Sequence, residues 1–251
     1  MSKKFFLNFV VVFLISMIIT LYIIFWINNV YAGFGDFFKV LARAIVEPSE
    51  AISWWTLIIL GIKTMIVVVA SIVIGTIFAY LLSKWSLKGI MNIIASFPEV
   101  FFLMMVWAVY LPIGISEFKK GFLIVLVETI KTTGIFHKYF HESYIEYSQS
   151  HSYYLNNIRN IRRKYIYTIK NTIGDSLGNM IFEVPLIFSS VAVLEASFSY
   201  VGISQSFFAA IGSSQADVTI RRSIIILLIL GIIQLSIYYF ISKRDVRKVA
   251  Q

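Results

Sequence analysis

Residues 54–82 read WWTLIILGIKTMIVVVASIVIGTIFAYLL, an apolar run whose single charged side chain is Lys63. A transmembrane helix needs about 20 mostly apolar residues, so this run is long enough to cross a bilayer. The whole chain of 251 residues has the same character, with 59% hydrophobic and 14% charged residues and a mean hydropathy of +0.82. Soluble domains have roughly 25% charged residues. The sequence therefore predicts an all-α integral membrane protein.

Six stretches of this kind are predicted to span the membrane. They are residues 5–27, 54–82, 90–114, 121–136, 179–203 and 223–242. The first follows a basic start, and its apolar run exceeds the roughly 7 to 15 residues of a signal-peptide core, which predicts a retained signal-anchor helix. The fourth is short and carries Glu128 and Lys131. If it does not cross, the topology downstream inverts.

The positive charge of the chain supports this layout. The net charge is +9, and most of the 22 Lys and Arg residues fall in the pieces that lie on the same side as the N-terminus. Because Lys and Arg are retained on the cytoplasmic side, both termini are predicted to be cytoplasmic, in a cell membrane (inner or plasma membrane). The chain has no cysteine, which excludes disulfides, thiolate metal sites and cysteine nucleophiles.

Two segments outside the predicted spans have a helical pattern. On the outer side, FGDFFKVLARAIV within residues 28–53 has the apolar spacing of a helix lying in the membrane interface. On the inner side, residues 137–178 contain SYYLNNIRNIRRKYIYTIKN (152–171), which predicts two short helices hinged at Asn156 and Asn157. A solvated loop that obeys the positive-inside rule remains an alternative, as does binding of anionic lipid headgroups. Nucleic acid is disfavoured because the basic cluster is isolated beside a membrane.

The last third of the chain carries a family pattern. Lys170-Asn171 is followed by VLEASFSYVGISQSFFAAIGSSQADVTIRR (193–222) and KRDVRK (243–248). This order resembles the B-type permease subunit of binding-protein-dependent ABC importers for dipeptides, oligopeptides and nickel. Family members have Arg-Asn before the fifth span, then Val-Glu, then Phe-Ser-x-Pro-Gly-Leu-Gly at its outer end. Here Leu194-Glu195 matches the second element with the family's separation, and residues 198–204 match the third, with Val201 in place of proline.

The resemblance implies a single transmembrane domain over residues 1–251, folded as a type I ABC importer permease-like bundle with a cytoplasmic coupling helix. The family's coupling motif has a glycine between two short helices, and that position falls on Asn157. The residues implied to contact an ATPase are Ser152, Tyr153, Tyr154, Asn156, Asn157, Ile158 and Arg162. The alanines and charged residues of the family are replaced here by SQSHSYYLN. The implied partners are a second permease subunit, two cytoplasmic ATPase subunits, an extracytoplasmic substrate-binding protein and membrane lipid.

Ionisable residues within spans are costly and usually face a pathway or a partner. Glu99 follows Pro98 and Glu183 precedes Pro185, so each lies where a helix could bend. These two glutamates are predicted either to line the translocation path or to pair with Lys63 or Lys131. By the resemblance, Glu195 and Gly202 lie near the outer gate, with a structural or gating role.

Catalytic chemistry has little support in the sequence. His137 and His141 are one helical turn apart, a spacing that could seat a metal. A solvated helix face is the favoured interpretation, because Glu142 is the only suitable third ligand nearby in the sequence. No GxxxxGK[ST], GxSxG or HExxH pattern occurs. The chain is therefore predicted not to be an enzyme and to need no cofactor or metal. The resemblance implies an importer subunit for peptides, nickel or a similar solute. The rivals are an ATP-independent secondary transporter and a non-transporting membrane scaffold.

Overall fold

The computed structural model of the chain is all-helical in the residues that it describes, and no β-strand occurs among them. Those residues are 3–28, 33–46, 53–83, 85–96, 116–158, 160, 163, 166–168, 176, 178–212 and 216–249. The helices are α1 (Lys3–Asn28), α2 (Phe34–Val46), α3 (Trp54–Leu82), α4 (Lys88–Ser96), α5 (Glu117–Ser150), α6 (Ser152–Asn156), α7 (Val184–Ser197), α8 (Ile203–Gly212) and α9 (Ala216–Val249). A 3-10 helix, Ile181–Glu183, leads directly into α7. The predicted all-α class is confirmed for this part of the chain.

Four helical stretches are long and apolar enough to cross a membrane. They are Val10–Ile27, Trp54–Leu82, Gly178–Ser197 and Ala216–Ser236. They correspond to the first, second, fifth and sixth predicted spans. Their outward apolar side chains are exposed in the isolated chain, as lipid-facing residues are: Ile66 is 61% exposed and Ile232 63%. The chain is therefore a multi-pass membrane protein.

The other two predicted spans have different outcomes. Of the span 90–114, α4 covers the start, and residues 97–114, including Glu99, lie outside the described residues. The span 121–136 lies within α5, a helix of 34 residues that is not among the four apolar stretches. A total of six spans stays a prediction.

The helix that contains the predicted span 121–136 is longer than the span, because α5 continues to Ser150. Beyond residue 136 the buried face of the helix continues through His137, Phe140 and His141, which pack inside the protein. The ring of Phe140 meets that of Tyr80 edge to face, with ring centroids 5.9 Å apart. Packing against the end of α3 thus extends a helix that hydropathy alone would end.

The chain divides into two compact units, whose boundaries fall within α3 and α7. One unit comprises Met1–Ile66 and Ala192–Gln251. In it α2 packs on α1 and α9 around a buried cluster of Leu21, Phe25, Phe37, Ala44 and Ile220. The helix predicted within residues 28–53 is thereby confirmed, and its apolar face lies against the protein's own helices. Its placement in the membrane interface stays a prediction.

The second unit comprises Val67–Val191. In it α4 packs closely on α5, where Gly134 faces the backbone of α4. The second half of α3 runs beside α5 in the same direction, because Gly75 contacts Thr132, and Ser83, directly after the end of α3, contacts His141. The short helix α6 follows α5 and ends at Asn156. Asn157 lies in a turn, so the predicted helix break at the asparagines is confirmed.

Candidate functional site

The end of α7 forms a tight corner that contains Glu195 and Gly202, the two residues predicted to lie near a gate. Ser199 adopts a left-handed conformation with φ of 50°. The backbone N–H of Tyr200 donates to the carbonyl of Glu195 at 3.0 Å, and that of Ser199 donates to Ala196 at 3.3 Å. These two bonds are the Schellman pattern, which satisfies carbonyls at a helix end. The chain therefore reverses immediately after α7, and the fifth predicted span ends at Ser197 rather than at residue 203.

The reversal brings the next helix back onto the carboxyl group of Glu195. Glu195 is fully buried, and its Oε2 accepts a hydrogen bond from the backbone N–H of Ser204 at 3.2 Å. The neighbouring backbone N–H of Ile203 donates to Oγ1 of Thr64 on α3 at 3.1 Å. A helix begins with N–H groups that lack intrahelical partners and carry partial positive charge. Glu195 and Thr64 thus cap the start of α8.

Gly202 makes this arrangement possible. A Cβ atom at this position would overlap the carboxyl group of Glu195. The hydroxyl groups of Thr64 and Ser204 also lie beside this buried carboxyl group. The Glu195–Gly202 corner, defined here as residues 195–204 with Thr64, is therefore a closely packed polar joint in an apolar helix bundle.

Two arginines on α9 reach neighbouring helices in the same unit. Nε of Arg221 donates to the carbonyl of Ala44 at 2.8 Å, and its guanidinium lies 5.0 Å from the ring centroid of Trp54. Arg222 donates to the carbonyl of Ser206 on α8. Both side chains are buried. The sequence places them in an external connection before the sixth span, whereas α9 already begins at Ala216 and includes them.

Glu183, a predicted path residue, contacts a tyrosine on α5. It accepts a hydrogen bond from the hydroxyl of Tyr139, and this bond, with burial, raises the pKa of Tyr139 to about 12. A position of Glu183 on a translocation path and its pairing with Lys63 or Lys131 stay predictions. Pro185 lies in the first turn of α7, directly after the 3-10 helix Ile181–Glu183, so the helical geometry changes just before the proline.

The predicted coupling residues lie partly within the described chain. Ser152, Tyr153 and Asn157 are exposed, and Tyr153 is 86% exposed. Ile158 is half-buried and donates its N–H to the carbonyl of Leu155 at 3.3 Å. The backbone of Tyr154 and Asn156 belongs to α6, while Arg162 lies outside the described residues. The segment after α5 thus presents a short helix with an exposed aromatic ring.

The two histidines on α5 are buried, so the predicted solvated face is wrong. Nε2 of His137 lies 3.2 Å from the carbonyl oxygens of both Leu82 and Trp85, and Nδ1 of His141 lies 2.9 Å from that of Ser83. Their rings stack with centroids 5.4 Å apart. Both rings thus lie against backbone carbonyl groups of residues 82–85, at and just after the end of α3. No group of three or more acidic or histidine side chains that could hold a metal occurs in the described part of the chain.

Acid is expected to weaken the joint between α3 and α5. Burial lowers the pKa of His137, although its two carbonyl partners favour the charged ring. Below about pH 6.5 the unfolded chain binds a proton at this position that the folded chain does not bind, so stability falls as pH falls through that value. We expect an unfolding temperature several degrees lower at pH 5.5 than at pH 7.5, measured by intrinsic fluorescence. His137→Gln should flatten this dependence, whereas the exposed His151→Gln should leave it unchanged.

The structure brings together Glu195 and Gly202, which the sequence predicts as gate candidates. It also places Thr64 and Ser204 at this corner, and the sequence does not predict a role for either of them. A usable signal was present, because a serine and a glycine between two apolar runs, as in residues 199–204, are typical of a helix end followed by a helix start. Glu183 belongs to the other compact unit. Comparison of the chain with protein-family models, curated proteins and solved structures gives no match.

Proposed function

We propose that this chain is the transmembrane subunit of an ABC importer for peptides, nickel or a similar small solute. The observation that carries the proposal is the Glu195–Gly202 corner. The resemblance to importer permeases selects these two residues from their order in the sequence, and they meet in one buried joint, with Gly202 against the Glu195 carboxyl group. A sequence pattern without structural meaning has no reason to coincide with such a contact.

In this proposal α6 and the turn at Asn157 form the contact with an ATPase subunit. The exposed Tyr153 supplies an aromatic side chain that a groove on a partner could accept, while the buried Leu155 anchors the short helix to this chain. Closure of two ATPase subunits on nucleotide would move the coupling segments of two permease subunits together. The spans would then exchange inward-open and outward-open states, with a substrate-binding protein delivering solute outside.

The proposed coupling contact is tested by removing the exposed ring. Tyr153→Ala is expected to leave membrane insertion unchanged while reducing recovery of co-purified ATPase subunits at least about tenfold, since buried aromatic anchors dominate interfaces. A matched control is Phe118→Ala. Phe118 is 84% exposed, much as Tyr153 is, but it lies at the start of α5, far along the sequence from α6. Unchanged recovery after Tyr153→Ala and after deletion of residues 154–160 would contradict the coupling assignment.

A second candidate, an ATP-independent secondary transporter, is favoured by the buried carboxyl groups of Glu128 and Glu195, since such groups mark ion pathways in membranes. Reconstitution of the purified chain into liposomes separates the two. Solute flux driven by a proton or ion gradient without ATP would support the second candidate. Flux that requires co-purified ATPase subunits supports the importer, and a stable complex without flux would indicate a scaffold.

A further inference from the structure

A buried carboxyl group in the second compact unit has no role in the proposed coupling. Glu128 on α5 is fully buried, and its Oε2 accepts a hydrogen bond from the hydroxyl of Ser190 on α7 at 2.5 Å. Its Oε1 is buried and accepts no hydrogen bond among the described atoms. An ionised carboxylate that is this poorly satisfied in a membrane protein carries a large desolvation cost unless a positive charge accompanies it.

Hydroxyl groups with unused bonding capacity surround this carboxyl group. Thr132, one turn on from Glu128, is fully buried, and its hydroxyl lies beside the Glu128 carboxyl group. Ser71 on α3 is also fully buried, and its Oγ has no hydrogen-bond partner among the described atoms. The same is true of Oγ1 of Thr129. Buried hydroxyl groups are normally hydrogen-bonded, so the oxygens of Ser71 and Thr129 are available to bind a ligand.

The register of α3 and α5 brings Ser71 to the level of Glu128. Gly75 contacts Thr132, where a Cβ atom would come within 2.7 Å of the threonine methyl group. The two helices run in the same direction, so one turn back from this contact Ser71 on α3 lies opposite the turn of α5 that carries Glu128 and Thr129. The absent side chain at Gly75 is what lets the helices approach this closely.

We propose that Glu128, Ser71, Thr132 and Ser190 form a binding site for a small monovalent cation, Na⁺. Carboxylate and hydroxyl oxygens are the ligands that hard cations take, and the set contains no nitrogen or sulfur. One carboxylate balances one positive charge, whereas a divalent cation would leave a net charge buried. Lys131 lies on the next turn of α5 and does not donate to Oε1 of Glu128. The site needs no partner subunit, so it stands independently of the proposed importer.

The test is the cation dependence of unfolding in the purified full-length chain in detergent, at one pH and one ionic strength. NaCl is expected to raise the unfolding temperature saturably above the value in KCl or choline chloride, since a ligand that binds the folded state stabilises it. Glu128→Gln should abolish the difference between the salts. Thr132→Val and Ser190→Ala, which each remove one oxygen ligand, should shift the half-saturating Na⁺ concentration about tenfold upward. The exposed Glu142→Gln on the same helix should retain the full response.

Three results would overturn the site. These are equal unfolding temperatures of the folded wild type in all three salts, an undiminished Na⁺ response in Glu128→Gln, and a wild type stabilised by lower pH but not by Na⁺, which would make Glu128 a proton-binding group. If Glu128→Gln does not fold, equilibrium binding of ²²Na⁺ to the wild type, Thr132→Val and Ser190→Ala decides the question. Absence of saturable binding to the wild type would then reject the proposal.

Discussion

Gly202→Val is expected to destabilise the chain by about 3 kcal/mol or more, because the new side chain has no space in the Glu195–Gly202 corner. The obstacle is the carboxyl group of Glu195, which a Cβ atom at residue 202 would overlap. That carboxyl group cannot rotate away freely, since it caps α8 through the N–H of Ser204. The measurement is thermal unfolding in detergent together with the fraction of monodisperse protein on size exclusion.

The cause can be isolated with a double-mutant cycle. Gly202→Ala and Glu195→Ala should each destabilise, the first by overlap and the second by leaving backbone N–H groups of α8 unsatisfied. In the double variant the overlap is absent, so its loss should be smaller than the sum of the two by about 1 kcal/mol or more. Gly35→Ala is the control, because nothing lies within 4 Å of a Cβ at that helical position. If the losses of stability in Gly202→Ala and Glu195→Ala simply add in the double variant, the contact between residues 195 and 202 does not limit the packing of this corner.

The same corner shows what the sequence could and could not predict. Order along the chain was enough to select Glu195 and Gly202, because a motif is a one-dimensional pattern. Their contact depends on the left-handed conformation of Ser199, a residue type that rarely adopts it, and on Thr64, which lies far away in sequence. The conformational preference of serine argues against a left-handed Ser199, and no local sequence pattern reveals the contact with Thr64.

Apolar runs predicted four spans well, because length and hydropathy are local properties. They gave no sign that the helix around the predicted span 121–136 continues as α5 to Ser150. There the polar residues His137 and His141 are buried, since carbonyl groups at the end of α3 accept their hydrogen bonds. A hydropathy pattern counts a histidine as polar and therefore ends an apolar run there. In the folded chain, hydrogen bonds to carbonyl groups let the same histidine be buried.

Gly134→Val is expected to separate α4 from α5, with a loss of about 2–3 kcal/mol. A Cβ at residue 134 would lie 2.9 Å from the carbonyl oxygen of Met91 and 3.1 Å from the backbone nitrogen of Ala95. Backbone atoms cannot change rotamer, so the helices must move apart and give up close packing. The predicted damage therefore exceeds what the same substitution would do beside a flexible side chain.

The control for this substitution is on the opposing helix. Gly89→Ala on α4 has nothing within 4 Å of its new Cβ, and alanine is a better helix former than glycine, so stability should be unchanged or rise by about 0.5–1 kcal/mol. Thermal unfolding of Gly134→Val, Gly134→Ala and Gly89→Ala should therefore give a graded order, with valine the most damaging. Equal stability of Gly134→Val and the wild type would mean that α4 does not rest on α5 at this position. The close approach of the α4 backbone to Gly134, in the unit Val67–Val191, would then be contradicted.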